Sequence, residues 1–309
     1  MVKAQVKYAD QSTEEFSDIL QIYLKRSLDT PADSLTLVLP FCVEKELAEV
    51  SLFDAEAEFF SGIVDEQITY GGETFRTEIY ARSTAALLLD NEACPEVYEN
   101  PPFSLIFKRY AKVCGLENYV GEDRIYKGRF AVYKGMSCYQ VLSTFCQRVY
   151  GGSFSLVGRT MYTQAAACEE EICFCTSGEG IICEHIERSY SRCRLISKVL
   201  VKLGAEGGYT TTLTDRDSSA RGVCRQRYID ASSLSDISLS RAHSVIKEGR
   251  LSALQINLVT HRRASDFLGA FARAEGDGVS EEGLVVTAVA YTFKDRKELT
   301  KITLNSREE

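Results

Sequence analysis

The stretch FSGIVDEQITYGGETFRTEIYAR, residues 60–82, decides how the fold is read. Its second half alternates strictly. Phe75, Thr77, Ile79 and Ala81 fall on one face, and Arg76, Glu78, Tyr80 and Arg82 on the other. A period of two belongs to a strand with one face buried, and the Gly71-Gly72 pair supplies the positive φ angles of a tight turn. The stretch therefore predicts a β-hairpin, 60–70 returning as 74–82. The same period runs upstream through Val2, Ala4, Val6 and Tyr8, then Leu20, Ile22 and Leu24, then Leu35, Leu37 and Leu39. The first ninety residues read as β.

Downstream the period changes. Ser83 or Thr84 is placed to cap a short helix through Ala85–Leu89, and Pro95, Pro101 and Pro102 punctuate a connecting segment. Phe103, Ile106, Phe107, Tyr110 and Cys114 share a helical face over about 104–113, closed by Gly115. Ser137 and Gln140 have capping-box spacing ahead of the stripe Cys138, Val141, Leu142, Phe145, Cys146 and Val149, which Gly151-Gly152 stops. Short strands are expected at 130–133, 154–157 and 161–163. Alternation resumes with Leu195, Ser197, Val199, Val201 and Leu203. A helix follows over 236–247, with Ser235 as cap and Leu239, Ala242, Val245 and Ile246 inward, then strands at 253–260, 284–293 and 299–304. The expected fold is mainly β with an α+β insert: β-barrel-like domains at 1–90 and 186–309 flanking a small α+β module at 91–185.

Composition bounds the function. The chain has 309 residues, 45% hydrophobic and 26% charged, which is the balance of a packed globular protein. Its net charge of −8 repels phosphate, so no specific nucleic-acid binding is expected. The short basic cluster His261-Arg262-Arg263 reads as a solvated loop. No apolar run approaches the ~20 residues of a membrane span, and the N-terminus lacks a signal-peptide core. Folding in a cytoplasm is expected, with most of the eleven cysteines reduced.

No phosphate-binding loop, nucleophile elbow or His-Glu-x-x-His pair occurs. His185, His243 and His261 sit in separate local contexts, and Asp90 and Glu92 lie where a helix ends, so no catalytic residue and no cofactor are assigned. The densest set of soft ligands is Cys168, Cys173, Cys175, Cys183, His185 and Cys193. Cys173-x-Cys175 and Cys183-x-His185 would each put two ligands on one strand face, and a hairpin turning at 177–180 would present four together. These four are the metal candidates. The spacing differs from the usual zinc knuckle, so buried reduced thiols are the preferred reading and no metal is assigned.

The motifs Gly62-Ile-Val-Asp-Glu66 and Ala81-Arg-Ser-Thr-Ala-Ala-Leu-Leu-Leu-Asp-Asn-Glu-Ala-Cys-Pro95 resemble the baseplate hub proteins of long-tailed phages, the late control gene D family and its relatives in contractile particles. Lys134 to Leu142, with Val149-Tyr-Gly151, resembles the family's Gly-x-Ser helix, and 285–293 with 299–304 its closing hairpin. The resemblance covers 55–155 well and the rest more loosely; the Cys-rich segment 168–193 departs from it. It implies a structural, non-enzymatic homotrimer whose two tail-tube-like barrels per chain make a pseudo-sixfold ring. That ring would join a hexameric tail tube to a trimeric central spike. The implied partners are the tube, spike, tape-measure and other baseplate proteins, in a virion or tail particle assembled in the bacterial cytoplasm. Tyr70, Gly71, Gly72 and Glu73, at the hairpin tip, are the interface candidates. The alternatives are a tail-associated peptidoglycan hydrolase, for which a chain ending at the second barrel leaves no length, and a zinc-binding interaction module.

Overall fold

The computed structural model describes residues 2–72, 75–163, 171–202, 208–230, 235–276 and 278–307. The chain is mostly β and divides into two compact units. Met1–Cys168, Arg262–Leu268 and Val289–Thr300 make the first, and Glu169–His261, Gly269–Ala288 and Lys301–Glu309 the second.

The first unit opens with β1 (Val2–Tyr8), β2 (Thr13–Phe16), β3 (Gln21–Ser27), β4 (Thr30–Leu39), β5 (Leu47–Asp54), β6 (Ala57–Tyr70) and β7 (Arg76–Ser83). These form one antiparallel sheet in the order β3-β4-β7-β6-β5-β1-β2. The alternation read from sequence holds except at Leu20, which precedes β3 and is exposed. Val2, Ala4, Val6, Ile22, Leu24, Leu35, Leu37, Leu39, Ile79 and Ala81 all join one core. The hairpin β6–β7 pairs Tyr70 with Arg76, so its connection is five residues, 71–75, rather than a two-residue turn. Gly72, at φ +112°, is the only glycine of the pair with a positive φ. Glu73 and Thr74 lie outside the described residues. Phe75, expected on the inward face, is instead exposed in the connection.

Next come α1 (Ala85–Asp90), β8 (Glu96–Glu99), α2 (Phe103–Ile106), β9 (Asn118–Val120), β10 (Arg129–Val132), α3 (Cys138–Tyr150), β11 (Ser155–Val157) and β12 (Thr160–Tyr162). Thr84 precedes α1 but does not cap it; its hydroxyl donates to the Gly158 carbonyl at 2.6 Å. The helix expected at 104–113 begins as α2, continues as a π-turn at Phe107–Ala111 and ends as a 3-10 turn at Lys112–Cys114. A π-turn carries one extra residue, so Tyr110 and Ala111 are both buried while the face stays inward. Around α3 both capping-box bonds form, Gln140 N to Ser137 Oγ at 3.2 Å and Ser137 N to Gln140 Oε1 at 2.9 Å, and Gly151 ends the helix at φ +79°. The α3 stripe packs with Phe103, Ile106, Phe107, Tyr110, Phe130 and Met161 into a second core.

The second unit contains β13 (Ile172–Cys175), β14 (Ile181–Ile182), β15 (His185–Tyr190), β16 (Lys198–Lys202), β17 (Thr211–Thr214), α4 (Arg216–Ala220), β18 (Gln226–Asp230), α5 (Ser235–Leu251), β19 (Leu254–Thr260) and β20 (Phe271–Gly276). A three-stranded sheet, β17-β16-β18, packs Val199, Val201 and Ile229 against Ala242 of α5. Leu203 and the side chains of 235–240, those of Ser235 and Leu239 included, lie outside the described residues. The chain then forms β21 (Val279–Lys294) and β22 (Lys297–Ser306), a hairpin whose residues 289–300 count with the first unit and whose remainder counts with the second. Tyr291 belongs to the core of the first unit, edge-on to Phe59 with ring centres 6.1 Å apart. Among the described strands no sheet closes into a ring.

Candidate functional site

The tip of β6–β7 is the first place to look, because it carries the interface candidates. Beyond Ile63 the outer edge of β6 has no partner strand among the described residues; β5 stops pairing there. An unpaired strand edge costs its unmet backbone groups unless something covers it. Here the 41–47 segment is tied to β6 and β7 by their side chains. The Gln67 amide donates to the Val43 carbonyl at 2.8 Å and accepts from Leu47 N at 3.1 Å. The Thr77 hydroxyl, fully buried, donates to the Phe41 carbonyl and accepts from Val43 N at 2.8 Å. At the end, the Arg76 guanidinium lies over the Tyr70 ring at 4.4 Å and pairs with Glu78 at 3.0 Å. The tip is thus braced, and it presents Tyr70 and an exposed Phe75. The bracing by Gln67 was not read from the sequence, where its only signal is a polar side chain on a strand.

The cysteine candidates assemble differently from expectation. β13 and β14 pair in parallel, Phe174 with Ile181 and Cys175 with Ile182, so residues 177–180 do not turn a hairpin. The principal partner of β13 is β20, also parallel. His185 is exposed and starts β15, which pairs with β19. Cys175 and Cys183 are buried and joined through backbone, Cys183 N to the Cys175 carbonyl at 2.8 Å, while Cys173 is half-buried. Burial pushes the Cys183 thiol up to about 11 and raises that of Cys175 as well, which disfavours the thiolate a metal needs. Among the described residues no three His, Cys, Asp or Glu side chains form a metal-binding group. Cys168 lies outside the described residues.

The remaining polar groups also have plain partners. Asp90 pairs with Arg82 at 2.7 Å, and Glu92 accepts from Gly135 N at 2.9 Å. His261 pairs with Glu184 at 2.9 Å, and Arg263 with Asp266 at 2.7 Å. Asp215, fully enclosed, caps α4 and pairs with Arg250; that guanidinium holds its carboxyl well below the usual range against the cost of burial. Among the described residues no helix is long and apolar enough to cross a membrane.

The fold, a large antiparallel sheet with a helical insert and a closing hairpin, is that of phage tail proteins. A prophage MuSo2 43 kDa tail protein from Shewanella oneidensis matches with a TM-score of 0.77, 14% identity and 98% of both chains covered. A tail protein from Neisseria meningitidis matches with a TM-score of 0.76, 14% identity, 99% of this chain and 96% of that one. The E. coli c3393 protein, a type VI secretion component described as structurally similar to the T4 tail proteins gp27 and gp5, matches with a TM-score of 0.56 and 12% identity over 94% of this chain and 74% of its own. At such identities the likeness is one of fold. No family model and no curated protein sequence matches the chain.

Proposed function

We propose that this chain is the baseplate hub of a phage or phage-like contractile tail, a structural and non-enzymatic protein. The observation that carries the reading is the fold shared end to end with two tail proteins, 98% of both chains in the first case. A likeness to a type VI secretion component supports the same class of machine. In this reading residues 1–90 and 186–309 are two tube-like barrel domains flanking the module at 91–185. Three copies make a ring with pseudo-sixfold symmetry, the adapter between a hexameric tube and a trimeric spike. Tape-measure and other baseplate proteins are its further neighbours, and the particle is assembled in the bacterial cytoplasm. Closure of such a ring satisfies every copy of the interface and covers strand edges that a lone chain exposes. The braced tip, with Tyr70, Gly71, Gly72 and Glu73, is the interface element.

The test is mass photometry and electron-microscopic averaging of the purified chain, alone and with its tube and spike partners. Three-copy rings are expected. A persistent monomer that never enters a tail particle overturns the reading, and clearing of a cell-wall zymogram would replace it with the hydrolase.

A further inference from the structure

Among the described residues, the second unit carries four arginines without carboxylate partners. Arg192 and Arg194 lie on a 3-10 turn, and Arg221 and Arg225 on the loop after α4. The two segments are locked together. The Arg192 guanidinium donates to the Arg221 carbonyl at 2.6 Å, and that of Arg225 to the Arg192 carbonyl at 2.9 Å. Ser197 N and its hydroxyl both donate to the Arg225 carbonyl, at 3.0 and 2.9 Å. Beneath them Leu195 and Val223 pack with Ala253 in a small buried cluster, one apolar anchor from each arginine-bearing segment.

All four arginines are exposed, and among the described residues none has a carboxylate within ion-pair distance. On a chain with more acidic than basic residues, Arg26, Arg82, Arg159, Arg188 and Arg250 each find a carboxylate. Like charges held together on a fixed scaffold repel, and an anionic partner relieves that repulsion when it arrives. The guanidinium fork matches the two oxygens of a carboxylate.

We propose that this cluster is a docking site for an acidic protein segment that presents adjacent carboxylates. Charge complementarity supplies the choice of partner. A long polyanion such as duplex DNA feels the field of the whole chain, which is −8. Charges beyond a Debye length of about 10 Å are largely screened, so a segment short enough to lie within the cluster is spared the acidic surface that a longer duplex meets along its length. The site acts on a single copy of the chain and so stands or falls apart from the trimeric reading.

The experiment titrates a labelled oligoglutamate peptide into the full chain and follows fluorescence anisotropy, with oligoglutamine, inorganic phosphate and a DNA duplex as comparisons. Oligoglutamate is expected to bind, to weaken as salt rises from about 50 to about 500 mM, and to lose about tenfold in affinity in the Arg194→Gln/Arg221→Gln variant. Neither substitution removes the bonds made by Arg192 and Arg225. Should that variant lose its cooperative melt, Arg194→Gln alone gives the readout, because among the described residues its side chain makes no hydrogen bond. Equal binding of oligoglutamine, an affinity unchanged in the variants, or tighter binding of DNA or phosphate than of oligoglutamate overturns the proposal.

Discussion

The β6–β7 hairpin and the cysteine segment β13–β15 both place strands beside glycine-containing turns, yet one was legible in the sequence and the other was not. In the hairpin, the strand that follows in sequence is also the neighbour in space, from Gly62 opposite Ser83 to Tyr70 opposite Arg76. In the cysteine segment, β13 takes as its neighbour a strand a hundred residues away, Ile172 opposite Ala272, and runs parallel to it. A side-chain period of two reveals which face is buried. It carries no information about which strand lies alongside, and a turn signal misleads where a distant strand is the better partner.

Ile79, fully buried at the middle of β7, should cost about 3 kcal/mol as Ile79→Ala, read as a lower urea midpoint of the full chain. Cys175, also buried but on the short β13, should cost about 1 kcal/mol as Cys175→Ala, because fewer atoms are removed. Losses of equal size would mean that the two regions depend on packing alike. Between these falls Asp215→Asn, at about 2 kcal/mol near neutral pH, since it leaves Arg250, at a half-exposed site, only the Asp217 carboxylate at 3.3 Å. The sign with pH follows from its depressed carboxyl. The stabilisation is complete above the ordinary carboxylate pKa of about 4 and is lost as pH falls through the folded value. The variant should therefore show a flatter acid limb than the parent in pH-dependent melting. Ser137→Ala, which opens the capping box of α3, should cost about 1 kcal/mol by the same denaturation. The smallest effect concerns reactivity. Cys94, Cys193 and Cys224 are exposed, whereas burial pushes the Cys146 thiol up to about 12 and that of Cys183 up to about 11. Mass spectrometry after brief alkylation of the folded chain near pH 7 should find the first three modified and the latter two protected until the protein unfolds.

Legibility in the molecule tracks how local the deciding interaction is. The α3 stripe, its cap and its Gly151 terminator were all written within fifteen residues, and all appear. The helix at 103–114 was located and its inward face identified, but its π-turn was not, since an extra residue in a helix leaves the same apolar residues inward. The surface arginines show the limit most clearly. His261-Arg262-Arg263 is consecutive in sequence, and two of its members prove to be paired with acids. Arg192, Arg194, Arg221 and Arg225 are scattered in sequence and meet only because a serine and two apolar anchors bring their segments together. The interface candidates at the hairpin tip were visible as a turn, while the side-chain bracing that stiffens it was not.

The C-terminal hairpin bears on how the protein is made. A core that includes Tyr291 stays incomplete until the ribosome has delivered residue 291. The amino-terminal sheet, although synthesised first, must wait with part of its apolar interior open to the cell. Residues 289–300 of this β-ribbon count with the first unit and the rest of it with the second, so a frameshift ahead of residue 279 takes strand from both units at once.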